Sequence, residues 1–430
     1  MVPATMPREL ASDYVLITAT LIFVATYVLI SMRNLGRFSL DRPAVALLGG
    51  ALMLVAGILT PAQAIGAINL DVILLLVGMM LLVSGLDVCG FFDLVSTWIA
   101  ERAKSQMTFL AGLMVAAAFL SALVLNDAIA LLMTPIVVRS ARSLKVRPVP
   151  YLVALALAAN IGSVATEIGN PQNAYIAIAS GIPFLEFTAA LLPIMLLCLG
   201  VSIGLVWLVF RKDLAAPLSR GASLPPIRLQ RNGLTVTLGI GLGVVIGFFL
   251  STPTWLPLIA IAGGAFVLFF LPFVSTTSAR VLVGKVDWTI VLFFVGLFVL
   301  LEGVQVSGLS GGIQAGFTAA FGGQAGGLPW LTGLSALLSN LISNVPAVLL
   351  LAQVVQGAGG SHLLWLALAS SSTLAGNATI LGAACNVIVV QIANREGVEV
   401  SMKDFMKAGL PVTAATLVLS TVLLALLVPA

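Results

Sequence analysis

Residues 121–135 read SALVLNDAIALLMTP, and residues 339–346 read SNLISNVP. Each stretch is strongly apolar, yet each is interrupted by an Asn with Asp or Pro beside it, where a membrane helix would continue. Ser121 and Asn126 in the first match Ser339 and Asn344 in the second, at one common spacing along the chain. The same spacing relates Asn69, Gly78 and Gly85 to Asp287, Gly296 and Gly303. After a short slip, Ala165-Thr166-x-Ile168-Gly169-x-x-x-Asn173 matches Ala378-Thr379-x-Leu381-Gly382-x-x-x-Asn386 at a slightly shorter spacing. Single identities could arise by chance in a Gly- and Leu-rich chain. Shared break positions argue for an internal repeat.

The composition sets the solvent. Of 430 residues, 60% are hydrophobic and 8% charged, against about 25% charged in a soluble domain. The mean hydropathy is +1.16. These values exclude a soluble enzyme, a nucleic-acid binder and a disordered chain. Apolar runs of about 20 residues recur, as in a polytopic helical membrane protein. The runs lack the alternation of a transmembrane barrel. The net charge of +4 reflects basic loops rather than a nucleic-acid partner. Cys89, Cys198 and Cys385 form no disulfide or zinc pattern, and no metal site or organic cofactor is expected.

The predicted fold is all-α, with two repeats joined by a cytoplasmic linker. The first repeat covers 1–210: scaffold spans within 14–88, a re-entrant hairpin at 107–138, a broken helix at 150–180 and a span at 188–210. The linker is 211–231. The second repeat covers 232–430: scaffold spans within 233–304, a hairpin at 330–356, a broken helix at 363–392 and a span at 409–428. If each hairpin enters and leaves on one side, 19 of the 20 basic residues share a face, and only Arg8 lies opposite. The positive-inside rule then puts those loops in the cytoplasm and both termini outside. The repeats are therefore expected to be inverted, and the location to be the inner (plasma) membrane. Such architectures bind solute near the midplane, where broken helices leave N–H and C=O groups free.

Four polar clusters mark the breaks. They are Asn126-Asp127, then Thr166 to Asn173, then Ser343-Asn344-Val345-Pro346, and finally Ser370 to Thr379 with Asn386. Candidate solute and ion ligands are Asn126, Asp127, Thr166, Glu167, Gly169, Asn170, Asn173, Ser343, Asn344, Ser372, Thr373, Gly376, Asn377, Thr379 and Asn386. Their oxygens and amides suit a small ion or a hydroxylated solute. The alternative role is to satisfy backbone groups freed by the breaks. Carboxyl groups deep in a bilayer cost about 2.5–3.5 kcal/mol on insertion scales, which singles out Asp127 and Glu167 for reversible protonation or cation binding. No Lys or Arg lies in any cluster, so the cavity is expected to hold no basic side chain. Asp71, Asp87, Asp93 and Asp287 are read as interfacial, Glu302 as a solvated span end, His362 as a surface residue, and Cys385 as a packed thiol. The Gly-rich stretch 305–327 is no phosphate loop.

The run Asn126-Asp127-x-x-Ala130-Leu131-x-x-Thr134-Pro135-Ile136-Val137 resembles the first hairpin of arsenite efflux permeases, members of the ion transporter superfamily. Gly376-Asn377-Ala378-Thr379-Ile380-Leu381-Gly382-Ala383-Ala384-Cys385-Asn386-Val387 is similar to the second-half signature of its citrate-carrier and pink-eyed-dilution branch. Gly169-Asn170-Pro171-Gln172-Asn173 resembles a bacterial branch of anion or arsenite/sodium-antiporter-like permeases. The resemblance implies a scaffold that holds a homodimer, an elevator-like transport domain and, among the permeases, a cytoplasmic ATPase partner. The chain departs from the permeases in its Gly-Asn-Ala-Thr break and from dicarboxylate carriers in its Asn-Asp tip. Two carboxyl groups without a cation favour a neutral hydroxylated solute or a cation. Proton-coupled efflux of arsenite or antimonite is the leading expectation. The alternatives are a sodium-coupled carrier of small anions and a sodium/proton antiporter, with sodium expected at Asn126, Asn170, Asn344 and Asn377. A membrane enzyme is disfavoured, because no nucleophile–base pair is evident.

Overall fold

The computed structural model describes residues 8–32, 34–35, 38–39, 41–218, 228–311 and 324–428. Apart from a two-residue antiparallel pairing of Asn34–Leu35 with Phe38–Ser39, its regular structure is helical. Eight helices among the described residues are long and apolar enough to cross a membrane. Leu70–Val88, for example, has 19 residues, about 28 Å of helix. Large apolar side chains point outward along these spans, including Leu21, Leu250 and Phe273, at 65%, 83% and 75% exposure. Such a surface suits lipid rather than water.

The first half comprises α1 (Arg8–Ser31), α2 (Arg42–Val55), α3 (Pro61–Ala67), α4 (Leu70–Val88), α5 (Phe91–Arg102), α6 (Gln106–Leu123), α7 (Asn126–Ser143), α8 (Val149–Ser163), α9 (Pro171–Ser180) and α10 (Phe184–Phe210). The second comprises α11 (Arg231–Leu250), α12 (Leu256–Val274), α13 (Ala279–Gly284), α14 (Trp288–Val306), α15 (Gln324–Ile342), α16 (Asn344–Gly357), α17 (His362–Ala375), α18 (Ala384–Arg395) and α19 (Met402–Leu427). Helix starts recur at the two sequence spacings. The pairs α4/α14, α6/α15, α7/α16 and α10/α19 begin at the longer spacing, and α8/α17 and α9/α18 at the shorter one.

The repeated residues have visible physical jobs. Asn69 and Asp287 are N-caps, accepting from the Val72 and Thr289 amides at 3.1 and 3.0 Å. Gly78 lets α4 approach α12 so closely that a Cβ there would lie 2.3 Å from the Ala260 backbone. Gly296 does the same for α14 on α2, at 2.5 Å from Ala46. These close crossings make two tight pairs, α4 with α12 and α2 with α14. In the larger remaining body α6 packs on α8, α15 on α17, and α10 on α19. The halves also interlock, because α7 packs on α18 and α16 on α9. Every residue from Val149 to Ser163 is buried, so the broken helices form its centre.

Several boundaries move from the sequence reading. The second span ends at Val55 after 14 residues, and a capped helix, α3, follows; Gly57 turns the chain at φ +74°. α5 and α13 are additional short helices. The first hairpin runs over 106–143 rather than 107–138, and the last helix starts at Met402 rather than at 409, because Ser401 accepts from the Asp404 amide at 3.0 Å and caps it there. Of the glycine-rich stretch, 312–323 lies outside the described residues, as do 219–227 of the linker.

Ion pairs gather the basic loops. Arg139 meets Asp93 at 3.3 Å, Arg142 meets Glu396 at 3.7 Å, Arg147 meets Asp213 at 3.1 Å, and Lys285 meets Asp87 at 2.5 Å. Glu186 and His362, 2.7 Å apart, join the starts of α10 and α17 instead.

Candidate functional site

Four helices begin at the breaks: α7 at Asn126, α9 at Pro171, α16 at Asn344 and α18 at Ala384. The α6–α7 turn is two extended residues, Val124 and Leu125, held by a bond from the Asn126 amide to the Gly169 carbonyl at 2.9 Å. Its counterpart is sharper. Ser343 alone turns the chain, at φ +78°, a conformation that costs a non-glycine residue about 1–3 kcal/mol.

The breaks within the buried helices are held by amide side chains used identically in both halves. Asn173 Nδ2 donates to the Ser163 and Thr166 carbonyls, each at 3.0 Å. Asn386 Nδ2 donates to the Gly376 and Thr379 carbonyls at 2.7 and 2.9 Å. The freed carbonyls are thereby satisfied away from water. Gly169 and Gly382 let each loop fold back: a Cβ would sit 2.5 Å from the Ser163 carbonyl oxygen and 2.7 Å from that of Gly376. Thr166 Oγ1 donates to the Ala122 carbonyl, and Thr379 Oγ1 to Asn340 Oδ1 at 3.2 Å.

The first and fourth clusters meet at Asn160, a buried residue of α8 that the sequence reading missed. Asn160 Oδ1 accepts from Asn126 Nδ2 at 3.1 Å and lies 2.9 Å from Cys385 Sγ. Its Nδ2 donates to Asn377 Oδ1 at 2.9 Å and Asn386 Oδ1 at 3.0 Å. The second cluster joins through Asn170, which caps α9 by accepting from the Asn173 amide at 2.8 Å and donates to Thr373 Oγ1 at 3.2 Å. The third joins through Asn344, which, with its nitrogen facing them, donates to the Ser372 and Gly382 carbonyls at 3.0 Å each. The signal for Asn160 was available: its counterpart at the shorter spacing is Thr373, inside the fourth cluster. Asn340 was likewise missed, although it is the counterpart of Ala122 at the longer spacing.

Asp127 stands apart from this network. It is half-buried and lines a cavity of about 450 Å³ to which all four break-helix starts contribute, through Asp127, Pro171, Ser343 with Val345, and Ala384. Helix N-termini carry partial positive charge, so four convergent starts favour electron-rich solute atoms there. Asp41, Arg42, Asp287 and Thr289 form the wall from the other body. An adjoining cavity of about 350 Å³ shares Asp127 and Asp287 and reaches Asp87 and Lys285. Arg42 and Lys285 correct the expectation of a cavity without basic side chains. Packing of α2 and α14 beside the hairpin tip brings them there, and no linear spacing records that packing.

Glu167 is fully buried, and neither carboxyl oxygen meets a donor. Cys385 is packed, as expected. Among the described residues no group of three His, Cys, Asp or Glu could hold a metal ion.

Known proteins resemble this chain along most of its length. An uncharacterized transporter of Mycobacterium tuberculosis is 30% identical over 95% of this chain and 97% of its own. The silicon efflux transporter LSI3 of Oryza sativa subsp. japonica is 28% identical over 83% and 86%. The arsenical pump membrane protein of Escherichia coli is 26% identical over 96% and 99%. In fold, the chain is similar to the YdaH transporter of Alcanivorax borkumensis, with TM-score 0.60 at 15% identity over 96% and 97%. It is also similar to MtrF of Neisseria gonorrhoeae, with TM-score 0.56 at 12% identity over 99% and 96%. Residues 27–370 match the profile described as citrate transporter. The chain is a membrane-embedded secondary transporter and belongs to the citrate transporter family, CitMHS.

Proposed function

We propose that this transporter exports small, neutral, polyhydroxylated solutes, arsenite or antimonite, in exchange for protons. The carrying observation is the cavity at the four helix starts. The positive ends of four helices meet there, and the Asp127 carboxyl at the hairpin tip is an acceptor in its lining. Trivalent hydroxides need both: oxygens that accept from helix termini, and O–H groups that donate to a carboxylate. Relatives named for arsenical and silicon transport handle elements whose hydroxides share that chemistry.

The halves act as inverted repeats. The basic loops face the cytoplasm, and both termini lie outside. The cavities then open inward, between a fixed body of α2, α4, α12 and α14 and a mobile body that carries the breaks. Rigid-body sliding of the mobile body in a dimer would deliver the solute across. Arg42 supports a second reading, a sodium- or proton-coupled carrier of carboxylate anions, in keeping with the family description.

Flux into proteoliposomes separates the two. An imposed pH gradient without sodium should drive arsenite or antimonite, and Asp127→Asn should abolish that flux while the protein still folds. Flux that strictly requires sodium, or citrate flux in place of arsenite flux, ends the first reading.

A further inference from the structure

The halves differ where they would otherwise match. Position 127 is Asp, and its counterpart is Val345; position 167 is Glu, and its counterpart is Ile380. Glu167 lies in the first break with both oxygens buried and without a donor, and Asn173 Oδ1 at the end of that break is in the same state. In the second half the equivalent oxygen, Asn386 Oδ1, accepts from Asn160 at 3.0 Å. The residue in Asn160's place is Thr373, whose hydroxyl is instead the acceptor for Asn170 and Gln172 at 3.2 and 3.3 Å. The first break thus keeps three buried acceptor oxygens free of donors. It also follows the C-terminus of α8, the negative end of a helix.

The elements hydrogen-bonded to this break are α6, α7, α9 and α17. α6 carries no ionisable side chain, α7 carries Asp127 beside the break, and α9 carries Tyr175. Arg139, Arg142 and His362 stand at the ends of α7 and α17 remote from it, and Cys385 opens α18 nearby. Acceptors without donors, at a negative helix end and with no basic side chain on α6, α8 or α9, suit a monovalent cation: a proton on the carboxyl, or sodium among the oxygens.

We propose that Glu167, with Asn173 Oδ1, is the coupling-cation site, that it is separate from the solute cavity lined by Asp127, and that only the first half possesses one. This rests on the transporter reading above but not on the identity of the solute.

The test begins without solute. The apparent melting temperature of the purified full-length protein is followed against pH in sodium-free buffer, and against sodium at fixed pH. A ligand bound only by the native state raises it. Wild type should shift with one of the two cations, which identifies it. Glu167→Gln should lose the shift, and Glu167→Asp should keep it at roughly tenfold higher cation concentration. In proteoliposomes the solute accumulation ratio of Glu167→Gln should fall to one. A cation-independent wild type overturns the proposal, as does an undiminished shift and accumulation in Glu167→Gln. Failure of Glu167→Gln to fold while Glu167→Asp folds also overturns it, because the amide mimics the cation-loaded carboxyl. If the wild-type shift is intact but arsenite does not move, the solute reading alone fails.

Discussion

Replacing Asn160 by Leu strikes the point where the halves meet. Leucine fills a similar volume but neither donates nor accepts. Asn126 Nδ2 and Asn377 Oδ1 lose their bonds at 3.1 and 2.9 Å inside a helix with no water contact. Leaving two buried groups unpaired costs about 1–3 kcal/mol each. Measurements within membrane bundles are smaller, about 0.6 kcal/mol per bond, and Asn160 serves four partners. The two routes meet at about 2–3 kcal/mol. The assay is a double-mutant cycle with Asn377→Leu, read by equilibrium unfolding in mild detergent. The double variant should be more stable than the sum of the single losses predicts, because removing both partners leaves no orphan between them. A loss below about 0.5 kcal/mol for Asn160→Leu, or strict additivity, would refute the idea that this residue fastens the two breaks together.

Other consequences are simpler to measure. Gly78→Leu should destabilise by about 1–3 kcal/mol through overpacking, because its Cβ would lie 2.3 Å from the Ala260 backbone, while Gly66→Ala, with open space around it, should be neutral or slightly stabilising in a melting assay. Arg42→Gln should leave arsenite flux within roughly threefold of wild type, since a neutral solute needs no ion pair; a loss beyond roughly tenfold, about 1.4 kcal/mol, would favour the anion reading. Asp93→Asn should shift stability by less than about 1 kcal/mol, because the Arg139–Asp93 pair is roughly half exposed at 48% and 46%.

The breaks were legible because they violate a strong rule. An apolar run of membrane length holds Asn, Asp, Gly or Pro at its centre only if something nearby satisfies the backbone. That rule places Asn126, Asn173, Asn344 and Asn386 without coordinates. The helices that cap and turn at the surface were less legible. α3 begins with Thr60-Pro61 and a capping box, yet in an apolar context it reads as the tail of a span. Asn160 was hidden for a related reason: alone in VALALAANIGS, it breaks no helix. It became informative only when its amide was seen to join Asn126 to Asn377 and Asn386.

The solvent, the class of fold, the doubled pattern and the location of the breaks are all written along the chain, because each follows from hydropathy and local backbone chemistry. Tertiary structure alone decided which groups share a space. It set Arg42 and Asp287 with Asp127 around one cavity and Asp87 around the adjoining one, and it sealed Glu167 away from any donor. The physical reason is that charge and hydrogen bonding act through short distances in space, whereas these residues are far apart along the chain and are brought together only by helix packing.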